Sequence, residues 1–411
     1  RRPRDHRGAG MTDVVVVGGG IGGLASALAL TRAGAAVRVL EQASRFGEVG
    51  AGLQMAPNAT RILRSWGLLD EVVARGVLPR RLVMRDAVDG RELSHLDLAD
   101  VDRRYGAPYV VIHRSDLHAI LVRACRAAGV DLVTDAVVTE VERGDGQAVA
   151  VSTGRRDAGA LVLAADGLNS ALRGRLSDDG PVSSAYVAYR GAVPTENIAD
   201  TADLALDDVV FYVGPHCHLV QYPLRRGEIF NQVAVFRSPR ALAGEPDWGT
   251  PDELDAAFAG TCDLVRAALP NLWRDRWWRM FDREPITNWV DGRLALTGDA
   301  AHPMLQYLAQ GACQALEDAD CLAGMVGKHG GGMAGKHEGG TAGGTAGGTD
   351  WDGALRGYAE VRTVRTARVQ RTARDWGELW HCDGLFRSVR NAMLADRDPG
   401  DYRYIDWLYG G

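Results

Sequence analysis

The run Val14-Val15-Val16-Val17, followed at once by Gly18-Gly19-Gly20-Ile21-Gly22-Gly23, leaves this chain few ways to begin folding. Four consecutive β-branched residues read as a strand buried on both faces, the habit of parallel sheets. The glycines then permit a tight turn directly into a helix expected over 22–33. In this G-x-G-x-x-G spacing Gly18 makes the turn, Gly20 lets a pyrophosphate approach the backbone, and Gly23 lets helix and strand pack closely. Free N–H groups at the helix start, beside Ile21, would face the phosphates. Glu41 closes the next apolar run, Val37-Arg38-Val39-Leu40. It stands about 20 residues on, the usual distance for an acid that binds ribose hydroxyls. The chain is therefore expected to open with a βαβ nucleotide site.

A length of 411 residues implies two or three domains with ample core. With 46% hydrophobic and 24% charged residues the composition is that of a globular protein. The formal net charge of −6 argues against a general nucleic-acid partner. No apolar run approaches the ~20 residues needed to span a membrane. Residues 1–10 are basic without the apolar core of a signal peptide, so Met11 reads as the natural start. Cys125, Cys217, Cys262, Cys313, Cys321 and Cys382 are scattered and never in CxxC spacing. They read as reduced thiols of a cytoplasmic protein, with neither a disulfide frame nor a metal site expected.

Further along, Phe46 to Gln54 is glycine-rich enough for close backbone contact with a ligand. Residues 56–77 look helical, and Arg114 opens another helix leading to strands over 131–143 and 148–152. From about 183 to 284 strand-like stretches follow one another without helical crossovers, which predicts an antiparallel sheet. Residues 327–350 are Gly/Ala/Thr-rich and read as a flexible linker, where His329 and His337 are ordinary solvated histidines. The segment 351–381 reads as a helix with arginine at 362, 365, 368, 371 and 374. Three-residue steps slip about 60° each on a 3.6-residue helix, so these arginines wrap around it, as expected for solvated or inter-helix ion pairs. The aromatic tail, including Trp376, Trp380, Tyr402, Trp407 and Tyr409, is expected to pack on the antiparallel sheet or on a partner subunit.

Two more motifs lie far from the first: Ala165-Asp166-Gly167 with Ser170 and Arg173, and Gly298-Asp299-Ala300-Ala301-His302-Pro303. Taken alone, Asp166 reads as a turn aspartate before glycine and Arg114 as a surface or capping residue. All three segments in this order resemble the aromatic-ring hydroxylases, the single-component FAD-dependent monooxygenases. The resemblance implies an α/β fold. Its parts would be a discontinuous Rossmann-like FAD-binding domain (11–182 and 285–326), an antiparallel-sheet substrate domain (183–284), the linker, and a C-terminal helical segment (351–411). It also implies FAD bound by Gly18, Gly20, Ile21, Gly23, Glu41, Arg114, Asp166, Gly298 and Asp299. The helix start at Gly311 and Ala312 would stabilise negative charge on the flavin. NADH as electron donor, O₂ as co-substrate, a small aromatic acid as substrate and a homodimer belong to the same expectation.

One departure is informative. Where the family commonly has a second proline after His302-Pro303, this chain has Gln306, an amide that needs a polar partner. On an extended strand His218, Val220 and Tyr222 share a face. By themselves a histidine and a tyrosine there suit a hydrogen-bonded core as well as a ligand pocket. Together with Gln306, Tyr189-Arg190-Gly191, Asn288 to Gly292 and the Trp376–His381 segment, they are similar to the branch that hydroxylates 3-hydroxybenzoate. That likeness implies His218 as catalytic base and Gln306 as the group orienting the phenolic oxygen, with Tyr222 helping to hold the substrate. The expected reaction is hydroxylation para to the phenol through a flavin C4a-hydroperoxide, giving 2,5-dihydroxybenzoate. The alternatives are decarboxylating hydroxylation of salicylate, or flavin reduction without oxygen transfer.

Overall fold

The Val14–Val17 strand is buried along its whole length and pairs in parallel with Leu161–Ala164 on one side and Val37–Leu40 on the other. Asp131–Val133 and Leu294–Leu296 extend this parallel sheet, and the short Val290–Asp291 strand closes its edge in the antiparallel sense. The helix Ile21–Arg32 follows the glycine turn and packs between the helices Arg114–Ala128 and Gly311–His329. Two glycines make this geometry possible. Gly18 has a φ of +108°, and a Cβ there would lie 2.3 Å from the Ala165 carbonyl oxygen. A Cβ on Gly23 would lie 1.9 Å from the carbonyl oxygen of Gly18, so helix and strand can approach only without a side chain.

The computed structural model describes residues 12–47, 50–198, 204–330 and 349–410. Met11, Glu48, Val49, His337 and the stretch 331–348 lie outside the described residues. The expected linker begins too early, because the Gly311–His329 helix runs through 327–329.

A second sheet has seven strands in the order Trp278–Asp282, Val182–Pro194, Ile229–Arg237, Cys217–Leu224, Val209–Gly214, Arg81–Asp86 and Glu92–Asp97. It is antiparallel except where Val209–Gly214 runs parallel to Arg81–Asp86. The antiparallel sheet expected from the sequence spans only 183–284, with 81–97 falling in the expected FAD-binding part. The structure corrects that: two of the seven strands come from 81–97, because the Val209 strand would otherwise leave an open edge.

The helix Trp351–His381 runs from the parallel sheet to the seven-stranded one, about 45 Å at 1.5 Å per residue. Its arginines do make ion pairs between elements: Arg362 and Arg365 with Glu317, Arg362 with Asp318, and Arg374 with Asp282 and Glu284. The aromatic tail divides. Trp380 packs on the seven-stranded sheet through Phe211 and His218, as expected. Tyr402 and Tyr409 instead meet Tyr105, on the helix Leu98–Tyr105 outside both large sheets.

Candidate active site

A cavity of about 1080 Å³ lies between the two large sheets. That volume exceeds the usual range for one small ligand. Its upper wall is built from the three glycine-containing turns. Gly18, Gly20 and Ile21 line it, with Glu41 and Arg114 beside them, then Asp166, then Gly298 and Asp299, and finally Gly311 and Ala312. Gly23 does not line it and acts from behind, by admitting Gly18. The Glu41 carboxylate accepts hydrogen bonds from the backbone N–H of Gly19 at 2.7 Å and of Ala43 at 2.8 Å, which fixes it at the end of its strand.

Behind this wall the turns are tied to one another. Asp166 accepts from the Ser170 hydroxyl at 2.6 Å, and the same oxygen of Ser170 accepts from the Arg173 N–H at 2.9 Å. Arg173, fully buried, reaches the Ala300 and Ala301 carbonyls at 3.1 and 2.6 Å, so it joins the Asp166 turn to the Asp299 turn. Asp318 accepts from the Gly298 N–H at 2.9 Å, from His302 at 2.5 Å and from Arg362 at 2.8 Å. Burial opposes ionisation of Asp318, yet His302 and Arg362 hold its carboxyl well below the usual range. The cradle fits a dinucleotide: glycine backbone approaches it closely, and the Ile21 and Gly311 helices both begin at its wall.

The floor is one face of the seven-stranded sheet. Cross-strand pairing sets three rows on that face. One runs Ala188, Val235, His218, Val213; the next Arg190, Val233, Val220, Phe211, Met84; the third Ala192, Asn231, Tyr222, Val209, Leu82. His218, Tyr222 and Gln306 all line the same cavity. The Gln306 amide has no hydrogen-bond partner among the described residues. The Tyr222 ring lies over the backbone of Gly52, where a Cβ would fall 2.4 Å from it.

A family model described as "FAD binding domain" matches residues 11–338. The chain belongs to the FAD-dependent aromatic monooxygenases. It is 36% identical to the 3-hydroxybenzoate 6-hydroxylase of Polaromonas naphthalenivorans (strain CJ2), covering 97% of this chain and 95% of that protein. It is 37% identical to the enzyme of the same name from Klebsiella oxytoca, with 96% of each covered. A 3-amino-4-hydroxybenzoate 2-monooxygenase of Streptomyces platensis, PtnB3, is 36% identical over 97% of this chain and 95% of its own length. Among solved structures, Klebsiella pneumoniae HpxO complexed with FAD and uric acid superposes with a TM-score of 0.79 at 25% identity, covering 94% of this chain and 93% of that one.

In this monooxygenase His218 has a partner that sequence reasoning missed. Its Nδ1 lies 2.8 Å from Nε2 of His381, the last residue of the long helix. His381 stacks on Tyr186, and Tyr307 and Trp380 meet the His218 ring edge-on. Burial pushes the His218 imidazolium down to about 3. His381 is also held well below the ordinary range by burial and by His218, His216, Arg237 and Arg390. The unfolded chain takes up these protons below pH 6.5 while the folded pair stays neutral, so stability falls as pH drops from 6.5 towards 3. Replacing His218 with Gln should flatten the decline of the unfolding free energy, measured by urea titration, with falling pH by about 1.4 kcal/mol per pH unit for one proton. Identical slopes for the two proteins would contradict it.

Glu317, Asp318 and Arg362 were also missed. The arginine repeat was visible, but nothing in its spacing says which members turn inward.

Proposed function

We propose that this monooxygenase hydroxylates 3-hydroxybenzoate para to its phenol, giving 2,5-dihydroxybenzoate (gentisate). The observation that carries the reading is that His218 and Gln306 line one cavity with the FAD cradle, in a chain similar over most of its length to proteins named 3-hydroxybenzoate 6-hydroxylase.

FAD, when bound, supplies oxygen transfer, drawing electrons from NADH and oxygen from O₂. The chain's own residues hold and activate the phenol. With Nδ1 of His218 engaged by His381, Nε2 is the ring nitrogen left for substrate. It takes the phenolic proton, and the carbon para to the phenolate becomes electron-rich. A phenol ordinarily ionises near ~10, far above an isolated buried imidazole. Transfer is feasible because the product is an imidazolium–phenolate pair, in which each charge offsets the other's lost hydration. Gln306 donates its amide N–H to the phenolic oxygen and orients the ring. Met84, Phe211, Val220 and Val233 exclude water around it.

The test is NADH consumption and O₂ uptake by the FAD-loaded enzyme with 3-hydroxybenzoate and with salicylate, products being identified by chromatography. Gentisate from 3-hydroxybenzoate is expected. Catechol from salicylate would assign the enzyme to the decarboxylating reaction. NADH oxidation that no aromatic acid stimulates would refute both.

A further inference from the structure

We infer that Arg190 is the anchor for the substrate's carboxylate. This rests on the reading of the cavity as an aromatic-acid site and extends it to the end of the molecule that His218 does not reach. Arg190 occupies the middle row of the sheet face, beside Val233 and Val220, and lines the cavity. Its strand lies two places from that of His218, about 10 Å across two strand spacings. An aromatic acid laid across the intervening strand presents its phenol at one side and its carboxylate at the other.

The arginine is paired unlike most others in the fold. Arg173, Arg362, Arg365 and Arg374 each meet a carboxylate. Among the described residues Arg190 meets none, and its Nε is shielded from solvent without a hydrogen-bond partner. Its guanidinium carbon lies 4.9 Å from the centre of the Trp278 ring, a contact that holds the group in place without neutralising it. The polar groups that influence it are the Tyr222 hydroxyl and another cation, Arg114. A cation kept in an apolar wall without a counter-charge is costly, and an anion entering the cavity removes that cost. A planar carboxylate matches the guanidinium fork in shape as well as in charge. Tyr222, on the adjoining row, stands beside the same anion and donates its hydroxyl to it.

Titrating the FAD-loaded enzyme with benzoate and with benzamide, read by the perturbation of the flavin absorbance, tests this directly. The two ligands share a ring and differ in charge. Wild-type enzyme is expected to favour benzoate. Arg190→Met should weaken benzoate about 100-fold, the loss of one charge-assisted pair, while benzamide affinity and flavin content stay unchanged. Should Arg190→Met fail to fold, Arg190→Gln keeps the length and a polar end and carries the same comparison. Equal weakening of both ligands, or loss of FAD with no change in ligand preference, overturns the assignment. Benzoate has no phenol, so the result does not depend on which acid is hydroxylated. If no hydroxybenzoate is turned over while benzoate still binds through Arg190, the proposed reaction fails and the anchor stands.

Discussion

Replacing Arg362 with Met is expected to destabilise the protein by about 3–5 kcal/mol and to weaken retention of FAD, because it takes one counter-charge from each of two buried carboxylates, Glu317 and Asp318. Arg362 is 3% exposed and makes four polar contacts of 2.6 to 3.2 Å, to Asp318, Glu317 and both the carbonyl and the side chain of Gln314. Glu317 retains Arg365, and Asp318 retains His302, so the variant need not unfold outright. Burial works against Glu317, yet Arg365 and Arg362 keep its carboxyl down at about 2, a measure of how much those cations contribute. Asp318 also holds the Gly298 N–H, so slackening it disturbs the turn that carries Asp299. Urea unfolding and the flavin remaining after gel filtration check both effects. Arg362→Lys should recover only part, since an ammonium lacks the fork that spans Asp318, Glu317 and Gln314. An unchanged midpoint and full flavin in Arg362→Met would dismiss the network as a brace for the FAD turn.

The second large effect concerns chemistry alone. His218→Gln should lower gentisate formation by roughly 10²–10⁴-fold, the range of general-base assistance, with FAD still bound. Glutamine fills the site and can hydrogen-bond but cannot take the phenolic proton. Gln306→Ala removes one hydrogen bond to a charged oxygen and should be milder, about 10–100-fold. His381→Gln keeps a hydrogen-bonding group opposite Nδ1 of His218 and should retain more activity than His381→Phe. Product formation at the wild-type rate in His218→Gln would remove the imidazole from the reaction.

Most of the FAD cradle was legible because each of its turns carries a local chemical necessity. Gly18 and Gly23 tolerate no Cβ. Ser170 and Arg173 sit at fixed short distances from Asp166. The strand alternation that sets His218, Val220 and Tyr222 on one face also needs no partner to predict it. The supports of those residues were not legible. His381 lies 163 positions from His218, and its spacing carries no signal of the pair. Likewise, nothing local drew 81–97 into the second sheet; the open edge of the Val209 strand did.

The sequence by itself determined the nucleotide turn, the type of most elements and many of the residues that line the cavity, because backbone conformation and side-chain alternation are settled within a few residues. Only the tertiary structure decided which arginines are buried braces and that Arg190, at the cavity wall, meets no carboxylate among the described residues. Pairing of charges depends on what the folded chain brings opposite, and identical residues on one helix or strand carry no mark of it.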